Sequence, residues 1–361
     1  MSSSTQVETS PLPWSPTVAK GPLSEREKGN QTETTLLSNM GDSHKLPSNA
    51  QLMDVSIDDA GNYVHTLAIK QEQAQHNLVM THGSADGWNV YSIDWLGMGR
   101  SSRPKFGVSH TLPEEQRVGD TEKFFVESLE TWRQKMGIEK MLLLGHSFGG
   151  YMSALYAMKY PEHVERLVLV SPIGLPEPPA DLAERLKNGT VRQPKKPEDD
   201  DKAVDAKPSF KRNVMFGMAM SLWERNYTPQ WLVRMAGPYG PQTDKLLRER
   251  ADLAAYAYQI SVLPGSSEYA LGNILRPGAF ARRPLVSRMQ GLKVPTTFMY
   301  GQNDWIPAKT QLFTVRNCGH NIHLENPQGF NEVVLREMAE LSWGANKSPD
   351  LSIPKSTPRI F

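Results

Sequence analysis

The chain carries 40 basic and 39 acidic side chains in 361 residues, a net charge of +1, so no global field favours nucleic acid or an anionic membrane. Its length suits one large α/β domain with an insertion rather than two independent domains. A single cysteine, Cys318, excludes an intramolecular disulfide framework and any cysteine-rich zinc site.

Residues 1–48 are rich in Ser, Thr, Pro, Gly and charge. They hold too few large apolar groups to offset the entropy of ordering, so a disordered tail is expected. The opening MSSSTQVETSPLPWSP lacks a basic flank followed by an apolar run, and nowhere do 18 apolar residues follow one another. A soluble or peripheral protein is expected, not a membrane-spanning one. From Ala50, QLMDVSI and NYVHTLAI are separated by Asp-Asp-Ala-Gly. They read as a hairpin at a sheet edge, with Gly61 at the position needing positive φ.

Six short apolar runs without alternation follow: NLVMT (77–81), NVYSID (89–94), MLLLG (141–145), RLVLVS (166–171), TTFMYG (296–301) and QLFTV (311–315). Such runs mark strands of a parallel sheet buried on both faces. Between them, 121–136 places Phe125, Leu129, Trp132 and Met136 on one helical face, with Asp120 as cap and Gly137 as stop. Residues 328–342 repeat the pattern with Phe330, Val334, Met338 and Leu341.

More than a hundred residues separate Ser171 from Thr296, far beyond an ordinary crossover. They read as a cap inserted at 173–290, between the sixth and seventh strands of a core made of 49–172 and 291–345. A flexible tail is expected at 346–361. Within the cap, KKPEDDDKAVDAK (195–207) reads as a solvated loop. The Met-, Trp- and Tyr-rich run at 213–240 either packs the cap on the core or lines an acyl pocket.

Gly145-His146-Ser147-Phe148-Gly149-Gly150 joins the strand MLLLG directly to the apolar helix YMSALYAMKY. This is the setting of a Gly-x-Ser-x-Gly elbow, whose glycines permit the tight turn that lifts the serine hydroxyl out of the sheet. A nucleophilic serine needs a base, and the base an orienting carboxylate, in the chain order Ser, Asp, His. Asp304, just past TTFMYG, and His320, just past QLFTV, both follow strand ends, where open α/β sheets place their chemistry. His323 competes with His320 but lacks a preceding glycine. The oxyanion donors are expected to be the backbone N–H of Phe148 and one from the loop His82-Gly83-Ser84, either Gly83 or Ser84. His82 and His146, beside those donors, read as packing or hydrogen-bonding residues rather than acids or bases.

Taken in order, His82-Gly83, DWLGMGRSSRP (94–104), GHSFGGY (145–151), RLVLVSPIG, GAFARRPL (278–285), VPTTFMYGQNDW (294–305) and GHNIHLENPQGFNE (319–332) resemble one group. It is the α/β-hydrolase branch of abhydrolase-domain proteins four and five. The resemblance runs over roughly residues 50–342. The branch includes fungal cardiolipin-specific deacylases, N-acyl phospholipid lipases, plant lysophosphatidic acid acyltransferases and a lipase co-activator. The resemblance implies a phospholipid or lysophospholipid acyl ester as substrate, such as cardiolipin or a precursor of phosphatidic acid. It also implies no metal or other cofactor, no nucleic-acid partner, and often attachment to a membrane or lipid-droplet surface. The setting it implies is cytoplasmic or peripheral on an intracellular membrane, with mitochondria as the deacylases' analogy.

The branch's nucleophile, acid and base fall on Ser147, Asp304 and His320. The co-activator lacks the serine, so Ser147 favours an enzyme. Some members carry a His-x4-Asp pair tied to acyl transfer; here it corresponds to His320 and Glu325, with Glu in place of Asp.

Only about seven residues separate NLVMT from NVYSID and about nine separate TTFMYG from QLFTV, whereas parallel crossovers take a dozen or more. The affected strands are therefore expected to leave the sheet, reorder or pair differently. This also motivates a third reading beside hydrolase and acyltransferase, a catalytically impaired lipid-surface adaptor.

Overall fold

The computed structural model describes residues 25–39, 47–80, 88–109, 111–180, 249–261, 263–276, 279–304 and 313–343. Eight strands form its main sheet: β1 (Ala50–Ser56), β2 (Tyr63–Ile69), β3 (His76–Met80), β4 (Trp88–Ile93), β5 (Met141–His146), β6 (Val164–Val170), β7 (Thr296–Gly301) and β8 (Phe313–Val315). Their order is β1-β2-β4-β3-β5-β6-β7-β8. β1 pairs antiparallel with β2, and β2 with β4. From β4 to β8 every pair is parallel.

The hairpin forms as its turn chemistry requires. Gly61 takes φ +82°, and Asp58 accepts hydrogen bonds from the backbone N–H groups of Ala60 and Asn62 at 3.0 and 2.9 Å.

The central strands are apolar on both faces because helices cover both. On one side Leu143, Leu167 and Leu169 pack with Phe125, Leu129 and Trp132 of α2 (Glu114–Lys135) and Tyr151, Met152 and Leu155 of α3 (Phe148–Lys159). On the other, Leu142, Leu144, Val168 and Val170 pack with Phe330, Val333, Val334 and Met338 of the last helix, Pro327–Trp343. The expected stop at Gly137 holds, with φ +67°. The start does not. α2 begins at Glu114 behind Pro113, so Asp120 lies inside the helix and caps nothing. Its first turns are polar apart from buried Val118, and the apolar periodicity therefore marks only the part that reaches the core.

Two further expectations are corrected. Residues 25–38 of the expected disordered tail form a helix, α1 (Glu25–Ser38). It docks through charge rather than an apolar stripe. Buried Glu33 meets His65 Nε2 at 3.1 Å, Arg26 pairs with Asp54, and Arg100 bonds Asn30. Nor do the short links displace their strands: β3 lies parallel beside β4, and β7 beside β8. Returning over four residues of β3 takes about 13 Å. The seven residues 81–87 can span about 23–25 Å, long enough without a full crossover.

Among the described residues of the expected cap are α4 (Ala251–Ser261), which packs against α1, and a short ribbon of Leu275–Arg276 with Phe280–Ala281. Ile274, Leu275, Ala281 and Leu285 are buried in the same cluster as α2 and α3. The charged stretch 195–207 and the run 213–240 lie outside the described residues.

Candidate active site

β5 ends at His146, α3 begins at Phe148, and Ser147 makes the whole turn between them at φ +54°, ψ −118°. A non-glycine residue at positive φ is uncommon and costs backbone energy, which packing must hold in place. The turn is closed by Ser147 N–H donating to the Val170 carbonyl at 2.9 Å and by Tyr151 and Ile173 N–H donating to the Ser147 carbonyl at 3.2 and 3.3 Å. Gly145 has no room for a side chain. A Cβ there would lie 2.4 Å from Ser153 Oγ and 2.5 Å from the Gly149 carbonyl oxygen.

The histidine arrives from the far edge of the sheet. His320 Nε2 stands 2.9 Å from Ser147 Oγ, and His320 Nδ1 stands 3.2 Å from Asp304 Oδ1. With a carboxylate at Nδ1, that nitrogen carries the proton and Nε2 is left to accept from the serine hydroxyl. The Asp304 side chain is 2% exposed and that of His320 15%, so the relay is shielded from bulk water. Asp304 is set by a turn in which its N–H donates to the Gly301 carbonyl at 3.1 Å, and Asn303 N–H ties the adjoining loop to the Cys318 carbonyl at 2.9 Å. The one cysteine is buried, with Cys318 Sγ donating to the Val315 carbonyl at 3.3 Å, and burial pushes its thiol up to about 11. Burial, with the Asp304 charge beside it, also raises the phenol of Tyr300.

The structure thus brings together Ser147, Asp304 and His320, three residues that stand far apart in the sequence. Phe148 is the first residue of α3, where a backbone N–H has no acceptor within the helix. The other expected oxyanion donors, Gly83 and Ser84, and neighbouring His82, lie outside the described residues. It is His320, and not its competitor His323, whose Nε2 stands 2.9 Å from Ser147 Oγ. His323 stacks edge-on against His146 and Phe330.

Sequence reasoning missed one neighbour of the site, Trp95, and read a second, His146, as a packing or hydrogen-bonding residue without naming its partner. Trp95, within the DWLGMG run, would have its indole nitrogen 3.3 Å from a Cβ placed on Gly149, and its ring meets Phe125, which in turn meets Phe148. His146 places Nε2 2.9 Å from the His320 carbonyl oxygen. Both lie in quoted motifs, but nothing in a linear pattern says which way a ring points. Among the described residues, no three His, Cys, Asp or Glu side chains are arranged to hold a metal ion.

A mostly parallel sheet that presents a serine on a strand–turn–helix elbow, with histidine and aspartate beyond later strand ends, defines an α/β hydrolase. Residues 73–327 match the family model described as alpha/beta hydrolase fold, and the chain belongs to that family. Its relatives place it in the branch of abhydrolase-domain proteins four and five. It is 31% identical over 342 residues to a probable 1-acylglycerol-3-phosphate O-acyltransferase of Oryza sativa subsp. japonica, covering 83% of this chain and 76% of that protein. It is 30% identical over 314 residues to the (lyso)-N-acylphosphatidylethanolamine lipase of Mus musculus, covering 76% and 82%. The fold is similar to that of carboxylesterase CesB (YbfK) from Bacillus subtilis, with TM-score 0.54 and 16% identity over 87% of this chain and 98% of that one.

Proposed function

We propose that this chain is a serine hydrolase cleaving fatty-acyl esters of phospholipids or lysophospholipids through Ser147, His320 and Asp304. One observation carries the reading: a serine held on a strained turn, 2.9 Å from an imidazole that a buried carboxylate orients. In this mechanism His320 takes the Ser147 proton as Oγ attacks the ester carbonyl. The oxyanion is met by the Phe148 N–H and a second donor from Gly83 or Ser84. His320 then returns the proton to the leaving alcohol, giving an acyl-enzyme that water resolves. The lipid substrate class is supported by the relatives, one named a (lyso)-N-acylphosphatidylethanolamine lipase. Work at an intracellular membrane or lipid-droplet surface follows from that class of substrate. Among the described residues no helix is long and apolar enough to cross a membrane.

Acyl transfer on the same site is the second reading, favoured by relatives named 1-acylglycerol-3-phosphate O-acyltransferase. A lysophospholipid hydroxyl would then replace water at the acyl-enzyme. The adaptor reading keeps less support, since both short links leave the strand order intact.

The test is covalent labelling of the purified chain with a fluorescent alkyl phosphonate, beside Ser147→Ala and His320→Ala. Labelling of the wild type and its loss in both variants is the expected result. A folded wild-type protein that takes no label overturns the proposal. A phospholipid panel, run with and without acyl-CoA and lysophospholipid, then separates hydrolysis from transfer.

A further inference from the structure

His320 acts only if its ring reaches both Ser147 and Asp304, yet it sits on a loop, residues 316–321, between β8 and the short helix Ile322–Glu325. The backbone is fastened on both sides of it. On the N-terminal side, the Glu325 carboxylate accepts the Gly319 N–H at 2.6 Å. On the C-terminal side, the His320 carbonyl oxygen stands 2.9 Å from His146 Nε2. A carbonyl can only accept, so Nε2 of His146 is the donor. The helix carrying Glu325 is itself fixed, with Ile322 fully buried and the Leu324 and Glu325 N–H groups donating to the Asn321 carbonyl at 3.0 and 2.9 Å. The Gly319 carbonyl leaves no space beside β7: a Cβ on Gly301 would come 2.0 Å from it.

From this geometry we infer that Glu325 and His146 are positioning residues which clamp the backbone around His320, and that Glu325 does its work as a hydrogen-bond acceptor rather than as a charge directed at an acyl acceptor. A charge-assisted bond to a backbone N–H is short and strong, and the 2.6 Å contact has that character. The next residue carries the proposed general base. A shift of about 1 Å in such a group costs on the order of 100-fold in rate. The inference rests on the proposed role of Ser147 and His320, and it assigns the glutamate of the His-x4-Glu pair to holding the base rather than to the transfer step.

Two substitutions separate acceptor from charge. Glu325→Gln keeps the length and a carbonyl oxygen but loses the charge. Glu325→Asp keeps the charge but withdraws the oxygens by about 1.5 Å, beyond hydrogen-bond reach of Gly319. The clamp predicts that Glu325→Gln labels with phosphonate within about threefold of wild type, whereas Glu325→Asp labels about 10- to 100-fold more slowly. The loss should fall in the inactivation rate constant, with the half-saturating phosphonate concentration unchanged. The reverse ranking, Asp faster than Gln, overturns the inference in favour of a charge-dependent role, and wild-type rates for both overturn it outright. Hydrogen–deuterium exchange gives a readout free of the reaction. Gly319 should be protected in the wild type and in Glu325→Gln and exchange faster in Glu325→Asp; equal protection in all three overturns the clamp. If the wild type takes no phosphonate, the proposed function fails while the exchange ranking still decides the clamp.

Discussion

At the scale of single residues, what made the site legible was steric necessity. A glycine two places before the serine has a reason that can be read without coordinates, and the structure shows how tight that reason is. Gly145→Ala would set a methyl 2.5 Å from a backbone oxygen of α3, which cannot swing aside as a side chain would. This substitution is expected to slow phosphonate labelling by about 100-fold and to lower stability by about 1–3 kcal/mol, read by chemical denaturation. Gly107, where a Cβ meets nothing within 4 Å, is the control, and Gly107→Ala should label as wild type does. Equal rates for the two variants would remove the steric account of the elbow. The roles of Glu325 and His146 were not legible in this way. Their contacts are to backbone atoms of another segment, and a backbone N–H looks the same at every position of a sequence.

At the scale of elements, the strands and the last helix follow apolar pattern, whereas α1 follows charge. Glu33 and Asp54 flank the His65 ring at 3.1 and 2.6 Å, and Arg100 and Asp94 lie close by. Burial alone would pull His65 down, but the hydrogen bonds to Asp54 and Glu33 and the charges of Glu33 and Asp94 outweigh it and raise the imidazole to about 10. A folded-state value above the unfolded 6.5 means that protonated His65 stabilises the fold fully below about pH 6.5. That contribution is lost as pH rises through about 10. Unfolding free energy should therefore decline from pH 7 to 10 in the wild type and decline less in His65→Gln. Glu33→Ala leaves His65 its second carboxylate, Asp54, and removes one charge-assisted hydrogen bond. It is thus expected to cost about 1.5–3 kcal/mol, measured by urea denaturation at pH 7. A negligible cost would mean that α1 is not docked as described. A composition rich in Ser, Thr and charge hid this helix, because its polar side chains pair with charges of β1, β2 and the loop at Arg100 while α4, remote in the sequence, packs beside it.

At the scale of the whole molecule, the site is a product of sheet order. Ser147 leaves β5, Asp304 follows β7 and His320 follows β8, and these strands lie on one side of the sheet with β6 between. All point their C-terminal ends the same way, so three loops meet there. The proposed base, His320, is placed there by side-chain contacts to Ser147 and Asp304. Treatment with EDTA is expected to leave the phosphonate labelling rate unchanged; a loss restored by added zinc or magnesium would show that the relay is incomplete as described.

The sequence by itself determined the class of fold, the strand set and the elbow, and it singled out Ser147, Asp304 and His320 as the residues proposed for the relay, because burial pattern and turn chemistry are local and leave a linear trace. Only the tertiary structure decided that β3 and β4, and β7 and β8, remain neighbours across short links, since the distance a link must cover depends on register and not on residue count alone. The same holds for the docking of α1 and the clamp on His320. Each depends on hydrogen bonds and ion pairs between segments remote in the chain, whose partners are fixed only once the sheet has brought them within about 3 Å.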